Sequence, residues 1–350
     1  MKPTKGRWPR RSRASLPPQN KINPAPEIST PGVFEFSVAA QDSGMRLDAC
    51  AGKRVPACSR SLAAHLIRRG CVSVDEFQRK PGYKVKFREV VRVELPAPRP
   101  LVLEAQPMDL DLLYEDECLI VVNKPSGLVV HPAAGHLSGT LVNGLLYHCP
   151  DLEGVGEERR PGIVHRLDKE TSGVIAVAKT AAAHHELSRQ FKARTIRKQY
   201  LALVHGVPDQ EKGKIDLPVG RHPVDRKRMS TVSRSGREAL TLWRIQAKYN
   251  ASALLKIDLK TGRTHQIRVH CQSMGHPLAG DKIYGAARHL SRLTRNLPHV
   301  HQILSQATRQ MLHAACLRLG HPISGRQLTF SSPLPRDMDS ILQQLSALAP

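Results

Sequence analysis

Proline divides this sequence more sharply than any other residue type. Seven prolines fall between Pro3 and Pro31, and a second group follows at residues 96–100. Proline fixes φ and lacks a backbone N–H, so closely spaced prolines exclude regular helices and central strands. The pattern predicts four segments: a basic Pro-rich disordered tail (1–33), a small domain (34–96), a stiff Pro-rich linker (97–109) and a large domain (110–350).

Net charge limits the partners of the chain. The 350 residues include 53 Lys and Arg against 30 Asp and Glu, which gives a formal net charge of +23. Lys and Arg that neutralise phosphates release condensed counterions, so this excess favours a polyanionic partner. RNA, DNA, a membrane surface and a merely soluble, highly charged protein all remain open at this point.

Several classes of protein are excluded. No apolar stretch approaches the ~18 residues of a membrane helix, and the basic, Pro-broken start has no apolar core of a secretory signal. A mitochondrial presequence stays open as a less favoured alternative, because these prolines would break its amphipathic helix. Seven scattered cysteines form no C-x-x-C pair, which favours a reducing cytoplasm over a disulfide framework or zinc knuckle. His265 and His270 are five residues apart, on different faces of a helix, so no metal site is predicted. Phosphate-binding loops and G-x-S-x-G elbows are also absent.

The small domain begins with a helix signal. Leu62, Leu66 and Ile67 form one apolar helical face. This helix is predicted to follow an N-cap at Ser59 and to stop at Gly70. Strand signals follow at Val72, Val74, Val85, Phe87, Val91, Val93 and Leu95.

The large domain mixes strand and helix patterns. Residues 119–122 and 174–178 are continuous apolar runs, typical of strands covered on both faces. Residues 253–260 alternate apolar and polar, as in a strand with one wetter face. Helices are predicted at 181–191, at 264–274 with Thr264 as N-cap, and at 311–319 with Gly320 as the stop.

One short loop concentrates chemistry. The segment from Gly162 to Gly173 precedes a predicted buried strand and places Asp168 among His165, Arg166 and Lys169. Functional residues often lie on loops held by rigid elements. An aspartate that caps a turn has the same local composition, so residue types alone do not decide between the two.

These twelve residues resemble the active-site motif of the pseudouridine synthases of the RluA/RluD type. Matching segments lie in the family's order at Tyr114–Asp116, Val121–Leu128, His131–Pro132, Lys198–Tyr200, Thr261–His270, Gly275–Leu278, Gly280–Asp281, Met311–Ala314 and His321–Pro322. The resemblance implies an α+β fold, with a mixed, mainly antiparallel sheet and flanking helices in the catalytic domain. It implies an isomerase that converts uridine in RNA to pseudouridine with no cofactor and no metal.

The resemblance also assigns roles to site residues. Asp168 is the catalytic carboxylate, either a nucleophile on the ribose or a base at C2′, and Arg268 is the guanidinium paired with it. Tyr200 stacks on the flipped uracil, although an aromatic residue at the start of a strand is usually core. Arg166 fills the gap left by the extruded base, and Ile267 forms an apolar wall of the pocket. His165 is counted with the residues that bind substrate or RNA. From the residues alone, Arg268 could equally be an ordinary exposed helix arginine.

A second resemblance concerns the small domain. Residues 44–48, 59–61 and 67–72 resemble an RNA-binding module first described in a ribosomal small-subunit protein. Arg68 and Arg69 are its predicted RNA contacts.

The expected partner is large-subunit (23S-type) ribosomal RNA or its precursor particle. The protein is expected to be a monomer and to have no membrane partner. The basic stretch 192–237 fits contact with the RNA backbone, although such a run is often only a solvated face. The stretch 286–310 is expected to be a variable insertion. The alternatives are a synthase acting on transfer RNA and a non-catalytic RNA-binding or ribosome-assembly factor.

Overall fold

The computed structural model describes residues 32–56, 58–96, 103–133, 136–158, 160–225, 228–233 and 235–348. They form two compact units, which divide between the described residues 96 and 103. The predicted tail up to residue 31 and the Pro-rich part of the predicted linker, residues 97–102, lie outside the described residues. The first strand begins at Gly32, two residues before the predicted start of the small domain.

The small unit packs two helices against one sheet. Its elements are β1 (Gly32–Ser37), α1 (Leu47–Arg54), α2 (Arg60–Arg68), β2 (Val72–Val74), β3 (Phe77–Gln78) and β4 (Val90–Leu95). The antiparallel strand order is β1-β4-β2-β3. Ser59 caps α2, because its hydroxyl accepts a hydrogen bond from the Leu62 N–H at 3.2 Å, and this prediction is confirmed. The strand signals at Val85 and Phe87 are wrong, since both residues lie outside the strands, Val85 buried in the core and Phe87 exposed.

The described residues of the large unit form one mixed sheet of nine strands, and two further strand pairs lie outside it. The strands of the large unit are β5 (Leu112–Glu115), β6 (Leu119–Lys124), β7 (Gly156–Glu157), β8 (Arg160–Pro161), β9 (Ser172–Ala178), β10 (Arg197–His205), β11 (Lys212–Asp216), β12 (Gly220–Arg221), β13 (Met229–Ser230), β14 (Leu240–Tyr249), β15 (Ser252–Leu259), β16 (Leu312–Gly320) and β17 (Gln327–Ser331). Its helices are α3 (Leu141–His148), α4 (Ala181–Ala193), α5 (Gln266–Ser273), α6 (Ala286–Leu293), α7 (Pro298–Ser305) and α8 (Arg336–Ala347). The strand pairs outside the sheet are β7–β8 and β12–β13.

The strand order of this sheet is β11-β14-β15-β10-β16-β9-β6-β5, with β17 also paired to β16. In the described part of the chain, β9 and β16 form its one parallel pair. The predicted α+β class with a mainly antiparallel sheet is therefore confirmed. The close approach of β9 and β16 requires glycine at 173, where φ is +111° and a Cβ would lie 2.2 Å from the Ala314 carbonyl oxygen.

The central strands are covered on both faces, as the apolar runs predict. Ile120 and Val122 of β6 pack in the same core as α3 and α5. Leu119 and Val121, on the opposite face, pack with α4. The predicted helix at 181–191 is confirmed by α4, whose N-cap Thr180 accepts a hydrogen bond from the backbone N–H of Ala183.

Two local predictions are wrong. Residues 311–319 are not a helix, because Leu312–Gly320 forms β16 in the middle of the sheet. Pairing on both sides outweighs an apolar pattern that suits either state. Thr264 is not the N-cap of α5. That position belongs to His265, which has a left-handed φ of 55°.

Residues 286–310 are organised around an apolar core. Leu290 and Leu293 of α6 pack with Val300 and Ile303 of α7, in a core that α8 also enters. No helix in the described part of the chain has the length and apolar character needed to cross a bilayer.

Candidate active site

A cavity of about 350 Å³ opens between three segments of the large unit. Its walls come from residues 164–171, from the start of β10, and from the end of β15 through the beginning of α5. Asp168, Arg166, His165, Tyr200, Ile267 and Arg268 all line it. The structure thus brings together the six candidate residues of the large unit, which span about a hundred positions in the sequence.

Asp168 lies at the end of a charged hydrogen-bond network. Its Oδ2 accepts a hydrogen bond from Nη1 of Arg268 at 3.3 Å, and its side chain is 18% exposed. Lys169, the next residue in the chain, does not reach this carboxylate; its Nζ lies 3.5 Å from Nε2 of His136. The cation beside Asp168 therefore comes from α5, a hundred residues away in the chain.

Arg268 is buried and held from behind by a second carboxylate. Its Nε and Nη2 donate to the two oxygens of Asp281 at 2.7 and 2.9 Å, and Asp281 is fully buried. Burial opposes the charge of Arg268, but the bonds to Asp281 and the nearby Asp168 raise its pKa. The ring of Tyr284 lies 5.0 Å from the guanidinium carbon. Arg268 is thus a fixed, permanently charged donor rather than an exposed helix arginine.

His265 adds a second group beside Asp168. Tyr284 Oη accepts a hydrogen bond from the backbone N–H of Met229 at 2.9 Å and lies 2.9 Å from Nδ1 of His265. The other ring nitrogen of His265, Nε2, lies 3.8 Å from Oδ2 of Asp168. Burial lowers the pKa of His265 despite the charge of Asp168, which favours the neutral ring.

The loop that carries Asp168 is fixed through its backbone carbonyls. The fully buried Lys124 donates to the carbonyl oxygens of Pro125, Leu128 and Lys169 at 2.7 to 3.0 Å. Burial lowers the pKa of Lys124 to about 7. Arg309 donates to the carbonyl of Glu170 at 3.0 Å. These bonds hold the residues just after Asp168 in place.

Tyr200 and Ile267 form apolar walls of the cavity. Both are buried, at 7% and 4% exposure. Burial, together with the charge of Asp168, raises the pKa of Tyr200, so the phenol stays protonated. Within the described residues, its hydroxyl has no hydrogen-bond partner. The phenol is therefore available to a bound molecule.

Arg166 and His165 occupy contrasting positions. Arg166 is exposed at the cavity and forms no ion pair with another described residue. His165 instead packs against Phe191, with ring centroids 4.7 Å apart, and its Nε2 accepts from the Ala176 N–H at 2.9 Å. Burial, aided by the charge of Lys198, lowers the pKa of His165 to about 3. His165 is a neutral support for the loop as well as a wall of the cavity.

Basic residues from the 192–237 stretch also reach the cavity. Lys192 and Lys198 line it, together with Arg263 from the later motif. Burial and the charge of Arg194 lower the pKa of Lys198 to about 8. Arg194 itself pairs with Glu238 at 3.0 Å, so this part of the surface is partly neutralised.

Arg68 and Arg69 lie at the end of α2 in the small unit. Both are exposed, and neither side chain forms an ion pair among the described residues of that unit. They are free to bind an anion, as predicted for RNA contacts.

One cluster in the described residues groups three possible metal ligands: Asp116, Cys118 and His321. Its polar atoms already satisfy one another, since Asp116 accepts from His321 at 2.9 Å and from the Cys118 N–H at 2.9 Å. Burial and the Asp116 hydrogen bond raise the pKa of the Cys118 thiol to about 11, whereas a metal ligand must be a thiolate. The donor set fits a hydrogen-bonded corner better than a metal site.

Sequence reasoning gave no role to Lys124, Asp281 or Tyr284. Lys124 did carry a signal, because it lies two residues after the apolar run 119–122 and just before a proline. Asp281 and Tyr284 follow α5 in an irregular segment, where no periodicity predicts burial. Their functions depend on contacts with Arg268 and His265 that only the folded chain creates.

Comparisons with known proteins agree with this geometry. The family model for RNA pseudouridylate synthase matches residues 118–273. An uncharacterized RNA pseudouridine synthase of Synechocystis sp. is 44% identical, covering 89% of this chain and 93% of that protein. Ribosomal large subunit pseudouridine synthase D of Zymomonas mobilis is 43% identical, covering 86% and 94%. The solved structure of human RNA pseudouridylate synthase domain containing 4 has a TM-score of 0.54 at 28% identity, covering 67% and 92%.

Proposed function

The chain belongs to the RNA pseudouridine synthase family, and we propose that it isomerises uridines of large-subunit ribosomal RNA, with Asp168 as the catalytic carboxylate. The observation that carries this proposal is the sharing of Arg268. Asp281 takes two of its N–H donors, and Asp168 takes one at 3.3 Å. Asp168 is thus oriented by a cation while its free lone pairs face the cavity.

This arrangement suits both possible roles of the carboxylate. A nucleophile on the ribose and a base at C2′ must each be an ionised carboxylate, and the guanidinium of Arg268 donates a hydrogen bond to Oδ2 of Asp168 at 3.3 Å. The N1–C1′ bond breaks, the uracil turns over and a C5–C1′ bond forms. The C5 proton is lost and N1 gains one, so the atoms balance without an oxidant or a second substrate.

The cavity walls suit a flipped pyrimidine. Tyr200 offers an aromatic face and a free hydroxyl, and Ile267 adds an apolar surface. Stacking on an aromatic ring stabilises a base by about 1–3 kcal/mol, which helps offset the cost of unstacking. Arg166, exposed at the same cavity, is positioned to fill the gap left in the RNA.

Two observations support ribosomal RNA as the substrate. Several relatives bear the name ribosomal large subunit pseudouridine synthase D. The small unit presents Arg68 and Arg69 without ion-pair partners among its described residues, which suits a separate RNA-binding domain. We propose that the protein works as a monomer in the cytoplasm, since one chain supplies all the described walls of the cavity and its described cysteines are free.

The deciding experiment measures tritium release from C5-labelled uridine in large-subunit RNA. Asp168→Asn keeps the shape but removes the charge, and we expect release to fall by about 10²–10⁴-fold or more while RNA binding persists. Asp151→Asn, which changes an exposed aspartate outside the cavity, is the matched control.

Equal release by the wild type and Asp168→Asn would disprove the role of Asp168. Binding without release by the wild type would favour a ribosome-assembly factor. Release from labelled transfer RNA alone would move the substrate to that class.

A further inference from the structure

We propose that α6 and the turn after it carry a second RNA-binding surface, the Arg288 face, which binds the phosphate backbone of the RNA substrate. The face is formed by Arg288, Arg292 and Arg295. The inference rests on the proposed function, because the partner of this face is taken to be the RNA substrate. It adds a contact made by the segment that the sequence marks as a variable insertion.

Two of the three arginines share one side of the helix. Arg288 and Arg292 stand at positions i and i+4 of α6, Arg295 lies in the turn that follows it, and all three are exposed. A rise of 1.5 Å per residue places Arg288 and Arg292 about 6 Å apart along the axis. Together with Ala287 and Ser291 they line one open groove. The face therefore presents a row of cations rather than isolated charges.

The opposite side of α6 fixes this orientation. Leu290 and Leu293 pack into the core that contains α7 and α8. Both leucines are half-buried, and turning the arginines inward would expose their apolar surface to water. The Arg288 face is thus held toward solvent by the fold.

These arginines lack acidic partners. None of them forms an ion pair with a described residue, whereas the exposed Arg189 and Arg194 each pair with a glutamate. The sequence contains no Asp or Glu from residue 282 to residue 336. Guanidinium groups in this state have all their donors available for phosphate oxygens, which they bind in a bidentate manner.

The face lies close to the catalytic pocket along the chain. Tyr284, which contacts Arg268 and His265, is followed by Gly285 and then by α6. Arg288 is four residues after Tyr284 in the sequence. The helix also packs against β10, on the face of that strand opposite Tyr200. The Arg288 face therefore follows directly in the chain from a residue that supports the pocket.

The chemistry favours RNA over an anionic membrane. A helix that lies on a bilayer inserts its apolar side into the lipid. In α6 that side, with Leu290 and Leu293, is already used in the protein core. The exposed side presents guanidinium groups, whose positive charge and N–H donors match a phosphate backbone.

The test compares two variants with the same loss of charge. In the first, Arg288, Arg292 and Arg295 are changed to Gln, which preserves helix propensity. In the control, the exposed Arg318 of β16, Arg326 just before β17 and Arg336 of α8 are changed to Gln. Binding of a large-subunit RNA fragment, with and without the segments that flank the target loop, is measured as a function of salt, together with tritium release.

We expect the first variant to lower the slope of log K against log[salt] by about 2, at roughly 0.7 per phosphate contact. The control should keep the wild-type slope, and removal of the flanking RNA should abolish the difference. At saturating RNA the first variant should release tritium at the wild-type rate, because the face binds but does not catalyse.

An unchanged slope, or an equal fall in the control, would overturn the inference. So would loss of binding to phosphatidylserine vesicles with unaltered RNA binding, which would assign the face to a membrane. Failure of the proposed function looks different: the wild type would bind RNA without releasing tritium, and the salt slopes would still report on the face.

Discussion

Arginine is buried and paired in the pocket of the large unit, whereas it is exposed and unpaired among the described residues at the end of α2 in the small unit. Arg268 is 4% exposed and bound on both sides by Asp281 and Asp168. Arg68 and Arg69 are exposed and have no acidic partner among the described residues of their unit. Burial and pairing turn the first into a fixed part of the chemistry. Exposure leaves the other two to contribute long-range, salt-sensitive attraction.

The small unit shows that this division holds within one fold. Its buried Asp42 pairs with Lys53 and Arg54, and its buried Asp48 pairs with Arg46. Those cations already form ion pairs with buried aspartates, so they attract RNA less than unpaired cations do. Counting basic residues therefore overstates a binding surface unless paired ones are set aside.

Removing Asp281 tests the buried side of the comparison most severely. Asp281→Asn leaves Arg268 without its bidentate partner in the interior, and breaking a buried pair costs about 3–5 kcal/mol. We expect the free energy of unfolding in urea to fall by that amount and tritium release to fall with it. Glu211→Gln, which removes the exposed partner of Lys248, is the control and should leave the urea midpoint unchanged. Equal shifts would show that burial does not distinguish these pairs.

The pH dependence of stability tests the neutral support of the loop. Burial lowers the pKa of His165 from its usual 6.5 to about 3, so the unfolded chain takes up a proton there first as pH falls. Stability from His165 is complete above pH 6.5 and is lost by about 1.4 kcal/mol per pH unit below it, until the folded pKa is reached. Between pH 6.5 and 4.5 the wild type should lose about 2–3 kcal/mol more than His165→Gln. If the free energies of unfolding of the two proteins fall equally as the pH is lowered, His165 is not held neutral by the fold.

Tyr200 separates stacking from hydroxyl chemistry. Tyr200→Leu removes the aromatic face, and we expect kcat/KM to fall by roughly 10-fold to 100-fold, since stacking contributes about 1–3 kcal/mol. Tyr200→Phe keeps the ring and removes a hydroxyl that has no partner among the described residues, so stability should be unchanged. A loss of kcat in Tyr200→Phe without a change in KM would assign the hydroxyl to a proton step. Full activity in both variants would show that Tyr200 only packs in the core and has no role in catalysis.

Patterns that depend on neighbours in sequence were predictable. The apolar runs at 119–122 and 174–178 became central strands because each residue meets a core on its own face of the sheet. Ser59 and the helix after it followed from local capping chemistry. The loop around Asp168 was recognisable because its twelve residues are contiguous.

Features that depend on distant parts of the chain were not predictable in the same way. Residues 311–319 suit a helix by pattern, and their pairing with β9, β10 and β17 makes them a strand. The left-handed conformation of His265 aims its ring at Tyr284 and Asp168, which no spacing rule anticipates. The same holds for Asp281, whose importance is visible once Arg268 lies beside it.

The smallest effect is expected on the exposed side of the comparison. Arg68→Ala with Arg69→Ala should leave stability and the rate at saturating RNA unchanged, because neither side chain has an ion-pair partner within the described small unit. RNA affinity should fall several-fold at low salt, and the slope of log K against log[salt] should decrease by about 1–2. Lys53→Ala, which removes a cation already paired with Asp42, is the matched control and should leave the slope unchanged. If Lys53→Ala flattens the slope as much as the arginine pair, then pairing does not withdraw a cation from RNA binding, and the distinction between committed and free charge fails.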